Sequence, residues 1–277
     1  MDSANATATN GGFLSPDEAA RTVAFLEAGH LITAVADSAA LGRLRGAVVE
    51  LGAAHLGLER PDDEGDFLNH IHRHIRAAEL NPLRLAVING LGALPWARET
   101  YFRLAREALE LLVGNELAMQ RRLNLSIQLP GDDSSLLHIH ADVWDGDSPF
   151  EIVVWLPLVD CRGTKSMFLL PPAVNARVAA GLAEFDGASA DDLYARIEPD
   201  LSWIEIAYGE VLLFTQNLMH GNRVNGEDET RWSMNCRFKS LLSPYADKRL
   251  GEFFEPITVR AATRLGMGYR LPGGFSE

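Results

Sequence analysis

Apolar and polar positions change their period once along the chain, and the change divides it into two unlike parts. From residue 15 to about 120, apolar residues mostly recur at three- and four-residue spacing, as in helices packed on one face. Ser15-Pro16-Asp17-Glu18 reads as a helix start: Ser15 can cap, Pro16 suits the first turn, and Glu18 stands three residues after the cap. Ala19, Val23, Phe25 and Leu26 continue it as an apolar stripe. Residues 37–56 repeat the pattern through Leu41, Leu44, Val48, Val49 and Leu51. Further helices are expected near 67–79 and over 95–113, the second carrying Tyr101, Leu104, Leu109 and Leu112. The strand expected in this half is HLITAV, residues 30–35.

After Arg122 the runs become short, apolar and bounded by turn residues. Strands are expected in LNLSIQL (123–129), LLHIHADVW (136–144), EIVVWLPLV (151–159), SMFLLP (166–171), EVLLFTQ (210–216) and RWSMNCRFKSL (231–241). Residues 173–200 form a more helical insertion. β-runs with irregular turns behind a helical half predict a mainly β fold with helices, a barrel or jelly roll. The expected division is a disordered tail at 1–14 and a single domain over 15–277. That domain comprises a largely helical part (15–120), a β core (121–242) and a C-terminal extension (243–277).

Composition narrows the function classes. The formal net charge of −13 opposes phosphate contacts as a global property, so nucleic acid is not an expected partner. No apolar run reaches the 18 or so residues of a membrane span, and the first residues lack the basic start and apolar core of a signal peptide. Two cysteines, Cys161 and Cys236, fit reduced thiols in a cytoplasmic protein better than a disulfide framework. No G-x-G-x-x-G, P-loop or G-x-S-x-G pattern is present.

The chemistry concentrates in a few positions. His140-Ala141-Asp142 lies where a β-run breaks into turn residues, and residues i and i+2 of a strand share a face. An imidazole and a carboxylate can there converge on one ion. His220, just after the apolar strand 210–216, is the best third ligand. Two histidines and a carboxylate form a facial triad that leaves three positions of a ferrous ion open, two for a chelating cosubstrate and one for dioxygen. Arg231 follows His220 by eleven residues, across a polar turn, and Ser233 shares its strand face. An antiparallel return would bring Arg231 beside the metal, where its guanidinium can fork onto the far carboxylate of 2-oxoglutarate with the Ser233 hydroxyl assisting.

With this pattern the chain resembles the phytanoyl-CoA dioxygenase superfamily of iron(II)/2-oxoglutarate oxygenases. The stretch 123–161, followed by GTKSMFLLP, is similar more specifically to a bacterial branch found in carbohydrate and aminoglycoside-type biosynthetic clusters, including StrG-like proteins. The resemblance covers about 120–242. It implies a double-stranded β-helix (jelly-roll, cupin-like) core, Fe(II) held by His140, Asp142 and His220, and 2-oxoglutarate bound by Arg231 and Ser233. Trp155 falls where relatives place an aromatic beside the cosubstrate, or is an ordinary core aromatic. Gln128 and Asn124 stand where relatives often present an amide. Asn222 replaces the small hydroxyl common two residues after the distal histidine. A small-molecule substrate (a sugar, aminocyclitol or nucleotide-linked intermediate) and O2 complete the implied reaction. Asp142 argues against halogenation, since related halogenases give up this carboxylate for chloride. Hydroxylation, desaturation or epimerisation remain. A zinc hydrolase on the same ligands and a catalytically silent jelly-roll binding module are the competing readings.

Other residues are weighed against the site. His138 shares strand parity with His140 but does not precede a carboxylate. His70 and His74 would share a helix face, with His72 turned away, and nothing nearby completes a metal site. Arg84 or Asn89 can line the pocket, or simply belong to a packed helix. Lys165 and Ser166 fit a solvated turn better than the active-site mouth.

Overall fold

The computed structural model describes residues 12–185 and 189–273. The tail expected at 1–14 lies outside the described residues as far as residue 11. Helix α1 (Pro16–Ala28) carries the capping box read from Ser15 and Glu18 and ends at Gly29 in the left-handed region. Strand β1 (His30–Ala34), α2 (Ser38–Leu56), α3 (Glu64–Asn69), α4 (Ala77–Gly92) and α5 (Ala97–Leu112) complete the first half. The helix expected near 67–79 is instead broken into the end of α3, a 3-10 turn at 71–73 and the start of α4, because the β core captures carbonyls that would have continued α3. The Trp232 indole donates to the Leu68 carbonyl at 2.9 Å, and the Thr230 amide donates to the Asn69 carbonyl at 2.7 Å.

The strands that follow are β2 (Leu117–Gln120), β3 (Asn124–Gln128), β4 (Glu151–Pro157), β5 (Phe168–Leu169), β6 (Ser202–Trp203), β7 (Glu210–Thr215), β8 (His220–Gly221), β9 (Arg231–Ser240) and β10 (Phe254–Pro256). Helices α6 (Pro172–Ala180) and α7 (Ala190–Ile197) fill the expected insertion, and α8 (Ala261–Gly268) lies near the C-terminus. All pairings within the two sheets are antiparallel. One sheet runs β1-β7-β4-β9-β2-β10 with β3 also against β9; the other runs β6-β5-β8. The parts expected from sequence are interleaved: β1 pairs with β7, and β10 pairs with β2. Residues 136–144 do not form the expected strand; only His140 bridges, to His220, and residues 142–145 close into a 3-10 turn.

β4 is buried at every position because it lies centrally, between β7 and β9, with both faces covered. β9 shows the opposite economy. Trp232, Met234, Cys236 and Phe238 are fully buried in the main core with the helices, while Arg231, Ser233, Asn235 and Arg237 occupy the other face. Tyr101 of α5 fastens helices to sheet by donating from its hydroxyl to the Val154 carbonyl at 2.8 Å. No helix among the described residues is long and apolar enough to cross a membrane.

Trp232→Phe removes the donor that ties α3 to β9 and leaves the Leu68 carbonyl without its partner. A loss of about 1–3 kcal/mol is expected in urea unfolding, and an unchanged midpoint would refute this role.

Candidate metal centre

His140 and His220 face each other because their backbones form a reciprocal pair of hydrogen bonds, His140 N–H to His220 O at 3.0 Å and His220 N–H to His140 O at 2.8 Å. Gly221 allows this closeness: a Cβ there would lie 2.7 Å from the Leu137 carbonyl. Each ring donates from Nδ1 to the carbonyl two residues before it, His138 O at 2.7 Å and Leu218 O at 2.8 Å. That fixes the tautomer and frees both Nε2 lone pairs. Asp142 Oδ1 lies 3.4 Å from Nε2 of His140 and 3.9 Å from Nε2 of His220. One ligand atom from each of the three residues falls within 4.8 Å of the other two. Ligand bonds of about 2.0–2.2 Å place neighbouring donors roughly 3 Å apart, so a small contraction suits this set to a single metal ion.

The second carboxylate oxygen is held by a residue that the sequence reading overlooked. Arg237 Nη2 pairs with Asp142 Oδ2 at 2.9 Å, and its Nε faces Asp147 Oδ1 at 3.3 Å. Asp147 in turn pairs with Lys248 from the C-terminal extension. Burial acts against ionising Asp142, but the His140 hydrogen bond and the charges of His220 and Arg237 overcome it and hold the carboxyl well below its ordinary range. His220 is pushed down to about 4 by burial. Burial also opposes charging His140, yet the contacts with Asp142 and the His138 carbonyl leave it above the ordinary imidazole value. The signal for Arg237 was its parity, six residues beyond Arg231 on one strand.

These groups open on a cavity of about 510 Å³, a size suited to small ligands. Its floor includes Ser126, Val153, Trp155, Arg231, Asn235 and Arg237, and Phe214 stacks edge-on against the His220 ring at 5.1 Å between centroids. Arg231 is 2% exposed. It donates to the Ser166 carbonyl at 3.0 Å and the Ser126 hydroxyl at 2.9 Å, while its Nε has no hydrogen-bond partner among the described residues. No carboxylate pairs with it among those residues, and burial pushes its pKa down to about 10.

Trp155 and Asn222 line the cavity as well, but the Asn222 amide is committed to the wall. Its Oδ1 accepts from the Leu137 N–H at 2.7 Å, and its Nδ2 donates to the Ser135 carbonyl at 3.4 Å. Ser233 is not part of the lining; it is fully buried on the Arg231 face of β9, with its hydroxyl unpartnered among the described residues. Gln128 is not part of the lining; it donates to the Arg223 carbonyl. Arg84 lines the cavity and Asn89 does not. Lys165 is neither solvated nor at the mouth: at 2% exposure it pairs with Glu229 at 2.6 Å and donates to Asn69. His138 is exposed, and the histidines of 70–74 stand apart from the cavity, with His72 bonded to Thr230 at 2.9 Å and His70 paired with Asp66.

No family model and no curated protein matches the sequence. Solved structures do match in fold. A non-heme monooxygenase, ThoJ in complex with nickel, superposes with a TM-score of 0.55 at 15% identity, covering 86% of this chain and 84% of that one. The non-heme α-ketoglutarate-dependent carbocyclase SnoK of nogalamycin biosynthesis gives 0.52 at 15%, over 88% and 97%. EctD from S. alaskensis, solved with 2-oxoglutarate and 5-hydroxyectoine, gives 0.52 at 17%, over 85% and 79%. At such identities the likeness is one of fold.

Arg237→Leu is expected to weaken metal binding about 10–100-fold, measured by Mn(II) titration, because Asp142 loses the donor that orients it. An unchanged or tighter affinity would refute the positioning role. Proton and metal compete for the His140 Nε2. Affinity should therefore fall as pH drops through a range above the ordinary imidazole value, and a profile flat across it would contradict the assignment.

Proposed function

We propose that this chain is an Fe(II)- and 2-oxoglutarate-dependent oxygenase with a double-stranded β-helix core, acting in the cytoplasm on a small biosynthetic intermediate. The observation that carries the reading is a buried guanidinium, Arg231, with no carboxylate partner among the described residues, opening on the same cavity as a His-Asp-His triad. A buried charge is costly unless paired, so the site calls for an anion. The far carboxylate of 2-oxoglutarate is such an anion, and the open metal positions suit its 2-oxo acid end. The similar fold of oxygenases that use these groups supports the same reading.

His140 and His220 offer Nε2 and Asp142 offers Oδ1 to the iron, while Arg237 keeps Oδ2 occupied and the carboxylate turned one way. Arg231 receives the cosubstrate, with Ser233 two residues along the same strand face and Trp155 forming the wall. Bound here, iron and 2-oxoglutarate supply the oxidation of a C–H bond by dioxygen, releasing succinate and carbon dioxide. Val153, Met167 and Phe214 give the cavity apolar surface that limits water around the reacting groups. Hydroxylation of a sugar, aminocyclitol or nucleotide-linked molecule is the proposed outcome.

Anaerobic addition of Fe(II) and 2-oxoglutarate should produce the weak visible charge-transfer band of a chelate. Its absence from folded protein would overturn the reading in favour of a zinc hydrolase or a silent binding module. Asp142→Ala should abolish succinate formation. Arg231→Ala should raise the 2-oxoglutarate requirement at least tenfold, about the 1.4 kcal/mol or more that a charge-assisted bond contributes.

A further inference from the structure

The chain carries 38 acidic residues and a net charge of −13, yet a single carboxylate, Asp142, lines the cavity among the described residues. Both oxygens of that carboxylate are engaged, Oδ1 toward the histidines and Oδ2 by Arg237. The amide oxygens of the lining are spent in the same way. Asn81 Oδ1 accepts from Arg84 Nη2 at 2.7 Å, Asn235 Oδ1 accepts from Asn124 Nδ2 at 2.9 Å, and Asn124 Oδ1 accepts from Gln120 Nε2 at 3.4 Å. The Asn222 oxygen is held by the Leu137 amide. What these groups leave unpartnered is donors. Nε and Nη1 of Arg84, Nδ2 of Asn81, Nδ2 of Asn235 and Nη1 of Arg237 have no partner among the described residues.

Ala77, Leu80, Asn81 and Arg84 all line this space, at the i, i+3, i+4 and i+7 spacing of one face of α4. Asn81 holds one arm of the Arg84 guanidinium, which reduces the freedom lost when a ligand arrives. We propose that the outer part of the cavity is an anion-accepting subsite centred on Arg84, selecting a small substrate that bears a carboxylate or a phosphate ester. The inference deepens the oxygenase reading and rests on it for the inner part, where Arg231 and the metal match the cosubstrate's charges. The Arg84 charge is then left for the substrate. Anionic oxygens accept several N–H groups at once and form the stronger, charge-assisted bonds. A cationic amino sugar meets the like charge of Arg84 here and no free carboxylate among the described lining residues, so the aminocyclitol option is disfavoured against acidic or phosphate-bearing sugars.

The test is calorimetric binding to the full chain loaded with Mn(II) and 2-oxoglutarate. The probes are glucose 6-phosphate, gluconate, glucose and glucosamine, so the phosphate and carboxylate arms are separate. Arg84 is exposed on α4, so its replacement leaves the core untouched. At least one anion should bind, about tenfold more weakly in Arg84→Ala, with partial recovery in Arg84→Lys and weakening as ionic strength rises. The proposal is overturned if glucosamine binds more tightly than both anions, if Arg84→Ala leaves anion binding unchanged, or if neither anion binds at millimolar concentration. Repeating the titration without Mn(II) and 2-oxoglutarate separates the two readings. Arg84-dependent anion binding in a protein that takes up neither metal nor cosubstrate refutes the oxygenase but keeps the subsite.

Discussion

The pleat of β9 sets what every other part must satisfy. In ten residues it sends Trp232, Met234, Cys236 and Phe238 into the helical side of the core and Arg231, Ser233, Asn235 and Arg237 to the opposite face. A register slip of one residue would drive two guanidiniums into the apolar core and expose an indole to the cavity. Three neighbours resist that slip. β4 pairs with β9 from Glu151↔Lys239 to Pro157↔Ser233, β3 pairs from Asn124↔Asn235 to Gln128↔Arg231, and β2 continues along the β3 edge. The helices secure the apolar face, and the indole bond to Leu68 joins them to it. The proposed cosubstrate-binding and metal-orienting arginines thus inherit their positions from hydrophobic burial on the reverse side of one strand.

Charge is organised around that strand in two different ways. Arg231 is buried without an acidic partner among the described residues, which suits a place waiting for an anion. Arg237 sits in a chain of pairs running from Asp142 through Asp147 to Lys248, so the C-terminal extension reaches the proposed metal site through electrostatics. The chain as a whole is acidic, but the cavity retains donors.

Much of this was legible in the residues. The Ser15 capping box, the β1 run, the 173–200 insertion and the strand pattern from 151 onward follow from local propensity and period, and the structure repeats them. The convergence of His140, Asp142 and His220 was readable because His140 and Asp142 share a strand face and His220 directly follows an apolar strand. Residues 136–144 misled: their alternation looks like a strand, but at most one residue of the run finds a bridging partner. The break after α3 depends on bonds from Thr230 and Trp232, more than 150 residues away, and no local pattern carries it. Lys165 was misread for the same reason, since its partners Asn69 and Glu229 come from other parts of the chain. Arg237 had a readable parity, but its partner Asp142 is fixed only by the tertiary fold.

The stitching of the cavity wall has a bearing on redesign. Residues 135–140 are joined to 220–222 by the Asn222 side chain, by the Asn222 N–H to the Leu137 carbonyl at 3.0 Å, and by the paired His140 and His220 backbones. The wall over the substrate space and the two histidines therefore form one mechanical piece. Widening the cavity from that side would disturb the histidine geometry with it. The α4 side carries no histidine of the triad, so variation there can reshape what the protein accepts while the centre keeps its form.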